Sequence, residues 1–281
     1  TDSGRPLSVR WLLEPLLGRE RMEGPIGRAI DVTAVVGTLF GVATSLGFGI
    51  TQLAAGLEYL GWIQLTNWWT VGMIALITHV ATISVVTGVS KGLKWLSNIN
   101  MMMAAALALF VMLLGPTLFL LQAFVQNLGI YIQSLPDLML RTAPFSDGEW
   151  LGGWTVFYWG WWISWAPFVG MFIARVSRGR TVREFLVSVL IVPPLACVVW
   201  MAVFGGTAIT QVVSDGYQAA VKAELPLQLF MVLDALPLTQ ITSFIGIVLV
   251  VVFFVTSSDS GSLVIDVIAS GGKVDAPTPQ R

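Results

Sequence analysis

The sequence predicts an all-α, polytopic membrane protein. Three observations support this: an apolar composition, six hydrophobic runs long enough to cross a bilayer, and basic residues confined to alternate loops. Of the 281 residues, 56% are hydrophobic and 11% are charged, whereas an ordinary soluble domain carries about 25% charge. So few charges cannot cover the surface of a water-soluble chain of this length.

A hydrocarbon core of about 30 Å needs roughly 20 apolar residues in helix. Runs of that kind lie at about 29–57, 67–90, 96–126, 150–174, 184–211 and 239–268. The segment before the first run carries Arg5, Arg10, Arg19, Arg21 and Arg28. Lys91 and Lys94 separate the second run from the third, and Arg175, Arg178, Arg180 and Arg183 separate the fourth from the fifth. Lys273 and Arg281 follow the sixth. Only Arg141 and Lys222, of 15 Lys and Arg, fall on the opposite side. The positive-inside rule makes the Arg-rich side cytoplasmic, so the first run leads outward. A missed or invented span would scramble this alternation.

Two connections on the outer side are long. Residues 127–149 and 212–238 mix apolar residues with a few charges, which predicts amphipathic helices along the interface or capping the bundle; ordinary loops fit the same composition. Cys197 is the only cysteine, so a disulfide framework and a thiolate metal site are both excluded. The net charge of −1 offers no basic excess for nucleic acid. The polar start at Thr1–Gly4 and the stop at Pro277–Arg281 read as cuts in a longer chain.

The densest motif is Gly152-Gly153-Trp154-Thr155-Val156-Phe157-Tyr158-Trp159-Gly160-Trp161-Trp162-Ile163-Ser164-Trp165-Ala166-Pro167-Phe168. Interfacial belts account for Trp near the end of a span, such as Trp150 and Trp154. They do not account for Trp161, Trp162 and Trp165 towards its middle. At helical spacing Tyr158, Trp161, Trp162 and Trp165 share a face. Such a face can stack around a weakly hydrated cation, quaternary ammonium above all. Bulky helix packing gives the same stripe.

The second motif is Phe253-Phe254-Val255-Thr256-Ser257-Ser258-Asp259-Ser260-Gly261-Ser262, inside the sixth run. Oxygen ligands suit a hard cation, so Thr256, Ser257 and nearby carbonyls could hold Na⁺. Back-bonding of the hydroxyls to the preceding turn explains the same residues without an ion. Thr38, Thr44, Ser45, Gly47, Gly49, Thr51 and Gly56 in the first run predict close helix packing. His79 lacks a second histidine or paired carboxylates, so acid–base and metal chemistry have no partners for it. Pro116, Pro167 and Pro193-Pro194 predict breaks or kinks.

The stretch from Trp159 through Ala174-Arg175-Val176-Ser177-Arg178-Gly179-Arg180 to Phe185 resembles the signature of the betaine/carnitine/choline transporter family. Thr256-Ser257-Ser258-Asp259-Ser260-Gly261 and Gly37-Thr38-Leu39-Phe40-Gly41 are similar to that family too. The resemblance covers essentially the whole chain and places its spans as the fifth to tenth of twelve. It implies a LeuT-type inverted-repeat fold, a multi-pass protein of the plasma membrane (the inner membrane in a bacterium), and homotrimers.

It further implies a secondary transporter of quaternary-ammonium compounds such as glycine betaine, choline or carnitine, with Na⁺ as coupling ion and no other cofactor. Trp162 would be the central substrate-stacking ring, with Trp159, Trp161 and Trp165 lining the path. Thr256, Ser257 and the carbonyl of Phe253 would form part of one sodium site, and Thr38 with Phe168 part of another. Val42 stands where that second site wants a further hydroxyl. Three alternatives stay open: a Na⁺-independent exchanger of the same family, a membrane-embedded enzyme, and a sensor that binds the ligand without moving it. No catalytic residues are assigned, because the sequence offers isolated Ser, Asp259 and His79 rather than a constellation.

Overall fold

The computed structural model describes residues 6–87 and 90–272, with side chains for all of these except 84–94. Arg5, Lys273 and Arg281, the side chains of Lys91 and Lys94, and both chain ends lie outside the described residues. Inner and outer ends are named from the loop charges given above. The described residues form helices and no strand, and the fold is that of an all-α polytopic membrane protein.

Helix α1 spans Pro25–Tyr59. Pro25 at its first position costs nothing there, since the N–H it lacks would be unpaired anyway. Its outer end closes where Gly61 donates to Glu58 and Trp62 to Leu57, with Gly61 at φ +72°. Glycine is suited to that left-handed turn. Helix α2 follows at Asn67–Thr87 and α3 at Ser90–Leu114.

The run at 96–126 is not one helix. It breaks at Gly115-Pro116, and α4 begins at Thr117 and continues to Met139. Pro116 has no N–H for the Met112 carbonyl four residues back. The Thr117 hydroxyl donates to that carbonyl at 2.7 Å, so the break leaves it satisfied. Residues 127–139, expected to start a separate amphipathic helix, simply continue α4.

A π-helical stretch, Leu151–Val156, runs without interruption into α5, Phe157–Val176. Helix α6, Val182–Val213, opens with a capping box. Thr181 N–H donates to Glu184 at 2.9 Å and Glu184 N–H to the Thr181 hydroxyl at 3.3 Å. A π-helical turn, Val187–Ile191, precedes Pro193-Pro194 in α6, where two successive N–H groups are missing. The second outer connection holds a single turn, Ala219–Lys222, and a short helix α7, Gln228–Asp234. Helix α8, Thr239–Ala269, carries the polar motif without interruption.

Helices α1, α3, α4, α6 and α8 are long and apolar enough to cross a membrane. Helix α5 has 20 residues, but its Trp, Tyr, Gly and Pro are nearly neutral on a hydropathy scale.

Helix α1 packs on α5 along one side and on α8 along another. Helix α8 also packs on α2 and α3, and its inner half on α5. Phe230 of α7, fully buried, enters the outer core between Leu53, Ile77 and Ile247. A Cβ at Gly56 would collide with that ring, so glycine there lets α7 seat. A second core joins Leu107 and Val111 of α3 to Phe204 of α6 and Leu249 of α8. A third, at the inner end, joins Phe168 and Met171 to Val264, Val267 and Ile268.

Candidate functional site: an aromatic ladder and a hydroxyl stretch on either side of one helix

Helix α5 carries the aromatic motif as a continuous ladder of rings. Tyr158 and Trp161 are 5.5 Å apart, Trp161 and Trp162 6.3 Å, Trp162 and Trp165 6.3 Å, and Trp165 and Phe168 5.2 Å. The helical spacing of the sequence produces this order directly.

The rings do not play equivalent parts. Trp161 and Trp165 turn towards α1. The Trp161 indole N–H donates to Ser45 Oγ at 3.1 Å and to the Gly41 carbonyl at 3.3 Å. Phe48 packs on Trp161 at 5.7 Å. A Cβ at Gly41 would collide with the Trp165 indole, so glycine sets the close crossing of α1 and α5. Trp162 is 59% exposed and Trp159 67% exposed. Trp162 keeps ring contacts along the ladder, whereas Trp159 makes none among the described residues. Packing and an open aromatic face are thus both present, divided between alternate tryptophans.

On α8, Thr256 and Ser257 are half-buried. The Thr256 hydroxyl donates back to the carbonyls of Val252 at 2.9 Å and Phe253 at 3.2 Å. Its lone pairs stay available, since back-bonding uses only the hydroxyl proton. The Phe253 ring is exposed in a groove of about 530 Å³ that Leu107, Trp200 and Leu249 also line. The register of α8 against α1 follows from two close approaches. Built Cβ atoms at Gly261 and Gly49 would lie 3.1 Å from Val42 and 3.0 Å from Phe254. Between those levels Ser257 lies on the α1-facing side of α8 at the depth of Ser45, and Thr256 is turned about 100° from it round the helix. The Trp161 contact and the hydroxyl stretch therefore flank the same turns of α1.

Thr38 is fully buried, and its Oγ1 has no hydrogen-bond partner among the described residues. It follows Gly37, whose built Cβ would sit 3.6 Å from the Ser164 carbonyl, so it lies at the α1–α5 crossing. Phe168, one turn beyond Ser164, is buried in the inner core. Thr38 and Phe168 thus share the inner end of the crossing, whereas Thr256, Ser257 and Phe253 lie farther out. Val42 fills the contact with Gly261 instead of offering an oxygen. His79 is exposed on α2, and Cys197 is exposed on α6.

Two polar clusters escaped the sequence reading. At the inner end, Asp31 accepts from Ser8 Oγ at 2.6 Å and from the Arg10 backbone N–H at 3.2 Å. Arg10 Nε also pairs with Asp31 at 3.0 Å. The leading segment is thereby pinned across α1, and Leu7 N–H donates to the Gly272 carbonyl beyond α8. The signal for this was an acid at the foot of an apolar run with an arginine upstream. At the outer end, Asp234 accepts from Tyr59 at 2.6 Å and from Tyr217 at 3.0 Å. Burial, then the bond to Asp234 and its charge, push the Tyr217 phenol above its ordinary range. Nothing in local spacing couples residues so distant in the chain.

The described residues thus form a helical, multi-pass framework that carries an aromatic face and a hydroxyl stretch. The chain belongs to the BCCT, betaine/carnitine/choline family transporter group, whose family model matches residues 2–281. It is 66% identical over 279 residues to an uncharacterized transporter of Mycobacterium tuberculosis, covering 99% of this chain and 47% of that protein. It is 56% identical over 282 residues to a glycine betaine/proline/choline transporter of Vibrio parahaemolyticus, covering 100% and 50%. A glycine betaine transporter of Acinetobacter baylyi is 43% identical over 279 residues, covering 98% and 42%. The chain spans about half the length of the curated relatives it matches.

Proposed function

We propose that the full-length protein is a secondary transporter of quaternary-ammonium osmolytes, glycine betaine foremost, driven by Na⁺. The observation that carries this reading is the open face of Trp162 on a ladder whose neighbours, Trp161 and Trp165, are held against α1. A fixed ring with one free face suits a compact onium group. Such stacking contributes about 2 kcal/mol or more once the cation is desolvated. Trp161 and Trp165 hold that ring in place and border the path, and Trp159 adds an exposed indole one turn before it. The printed names of the Vibrio and Acinetobacter relatives, which give betaine and choline for those proteins, support the same substrate class.

For the ion, Thr256, Ser257 and the Phe253 carbonyl are the proposed ligands. Their oxygens match a hard monovalent cation. Thr38 and Phe168 are the proposed remnant of a second site, with Val42 in place of a further oxygen. A LeuT-type arrangement of inverted repeats, a trimeric assembly and an inner-membrane location belong to the same reading.

The test uses the full-length protein in proteoliposomes with radiolabelled glycine betaine. An inward Na⁺ gradient should drive uptake, and a K⁺ gradient should not. Trp162→Ala should weaken betaine binding by about thirtyfold, the equivalent of 2 kcal/mol. Unchanged affinity would remove Trp162 from the site. Uptake indifferent to Na⁺ would replace the symporter with an exchanger, and binding without counterflow would make the protein a sensor.

A further inference from the structure

Asn100 lies on α3 and is 2% exposed. Neither its Nδ2 nor its Oδ1 has a hydrogen-bond partner among the described residues. Each buried amide group left unpaired costs roughly 1–3 kcal/mol, and a membrane interior offers little water to relieve it. The described chain already shuts this side chain away from solvent. A partner has therefore to reach it inside the core, from a side chain outside those described or from a bound ion.

Its position says what that partner is. Asn100, Ala104, Leu107 and Val111 form the buried stripe of α3, and this helix packs on α8. Leu107 and Leu249 meet in one core cluster. The two helices run in opposite directions, so two turns inward from that meeting point leads to Asn100 on α3 and Thr256 on α8. Seven residues return each helix almost to the same face. Ser260 lies a further turn along the same face of α8. Helical register thus brings Asn100 and Thr256 to one depth on the facing sides of α3 and α8.

We infer that Asn100 is a further ligand of the cation held at Thr256 and Ser257, supplying its side-chain carbonyl oxygen from α3. This rests on the sodium reading given above. Asn carbonyls are ordinary oxygen ligands of hard cations. The Thr256 hydroxyl proton is committed to Val252 and Phe253, which leaves an oxygen lone pair and the Asn100 oxygen to share one ion.

The experiment takes the full-length transporter with Asn100→Ala, Asn100→Asp and Thr256→Ala. It measures the Na⁺ concentration that half-activates betaine uptake, and thermal stabilisation of the purified protein by NaCl against N-methyl-D-glucamine chloride. Asn100→Ala should raise the half-activating Na⁺ concentration about tenfold, as loss of one ligand-sphere group does. The KM for betaine at saturating Na⁺ should be unchanged, and the double variant should lose less than the product of the two single losses. If Thr256→Ala shifts the Na⁺ dependence and Asn100→Ala does not, the inference is overturned and the sodium reading survives. If neither shifts it, both fall. Should Asn100→Ala fail to fold, Asn100→Asp keeps the shape; a Na⁺ dependence like that of the unmodified protein would overturn the inference equally.

Discussion

The indole N–H of Trp161 donates to Ser45 Oγ, and Ser45 in turn donates to the Gly41 carbonyl at 3.1 Å, where the same indole also reaches. These three groups close a triangle between α5 and α1. Replacing Trp161 by Phe removes both indole bonds. Stability should fall by about 1–2 kcal/mol, read as a lower thermal midpoint in detergent. Because Trp161 and Trp162 rings touch, the KM for betaine should rise as well. Ser45→Ala should have a smaller effect, since the Gly41 carbonyl remains to accept the indole proton.

Glycine at position 41 decides how closely α1 and α5 approach. A methyl group there would meet the Trp165 ring and lie 3.2 Å from the Ser164 backbone. Gly41→Ala should therefore lower both stability and betaine uptake. Gly47→Ala is the matched control, because a Cβ at Gly47 has nothing within 4 Å. That change should leave the fold unharmed or raise its stability by up to about 1 kcal/mol, the helix-propensity difference.

Asp31 holds the leading segment through Ser8 and Arg10, and both members of the ion pair are largely buried. Removing one partner of such a pair leaves an uncompensated charge and costs about 3 kcal/mol or more. Asp31→Ala should release the segment. Limited trypsin digestion would then cut at Arg10 while the helices stay intact, and equal protection of both proteins would contradict the pin.

The outer cap should respond to alkali. The Tyr217 phenol is raised above its ordinary value by burial and by Asp234. Between the unfolded and folded pKa values the folded state holds more protons. The stabilisation is therefore complete at neutral pH and is lost as pH climbs above about 10. Hydrogen exchange across residues 217–236 should accelerate in that alkaline window. Tyr217→Phe should blunt the change, and Asp234→Ala should accelerate exchange already at pH 7.

Helix positions were legible because membrane-depth helices are written as uninterrupted apolar runs. The run at 239–268 coincides with α8, Thr239–Ala269, and that at 184–211 with α6, Val182–Val213. The break at Gly115-Pro116 was announced by Pro116 alone, and hydropathy on both sides hid the fact that a new helix begins there. The tryptophan spacing gave the ladder but not its division of labour. Which ring is pinned depends on Gly41 and Ser45, more than a hundred residues earlier. Asn100 shows a further limit. Its type is unremarkable in a span, and only its burial without a partner among the described residues sets it apart. The Asp31 and Asp234 clusters join segments through tertiary approach, which no local pattern encodes.

Helix α1 is gripped on one side by Trp161 and Trp165 and on another by the glycine contacts of α8, at overlapping depths. A rod clamped in this way cannot slide along its axis against one jaw alone. Displacing it by a single turn would unseat the indole from Ser45 and shift the level of Thr256 and Ser257 in the same stroke. The aromatic wall and the oxygen-bearing wall therefore bear on one shaft, and the inner core of Phe168, Met171, Val264 and Val267 ties the two walls to each other below it.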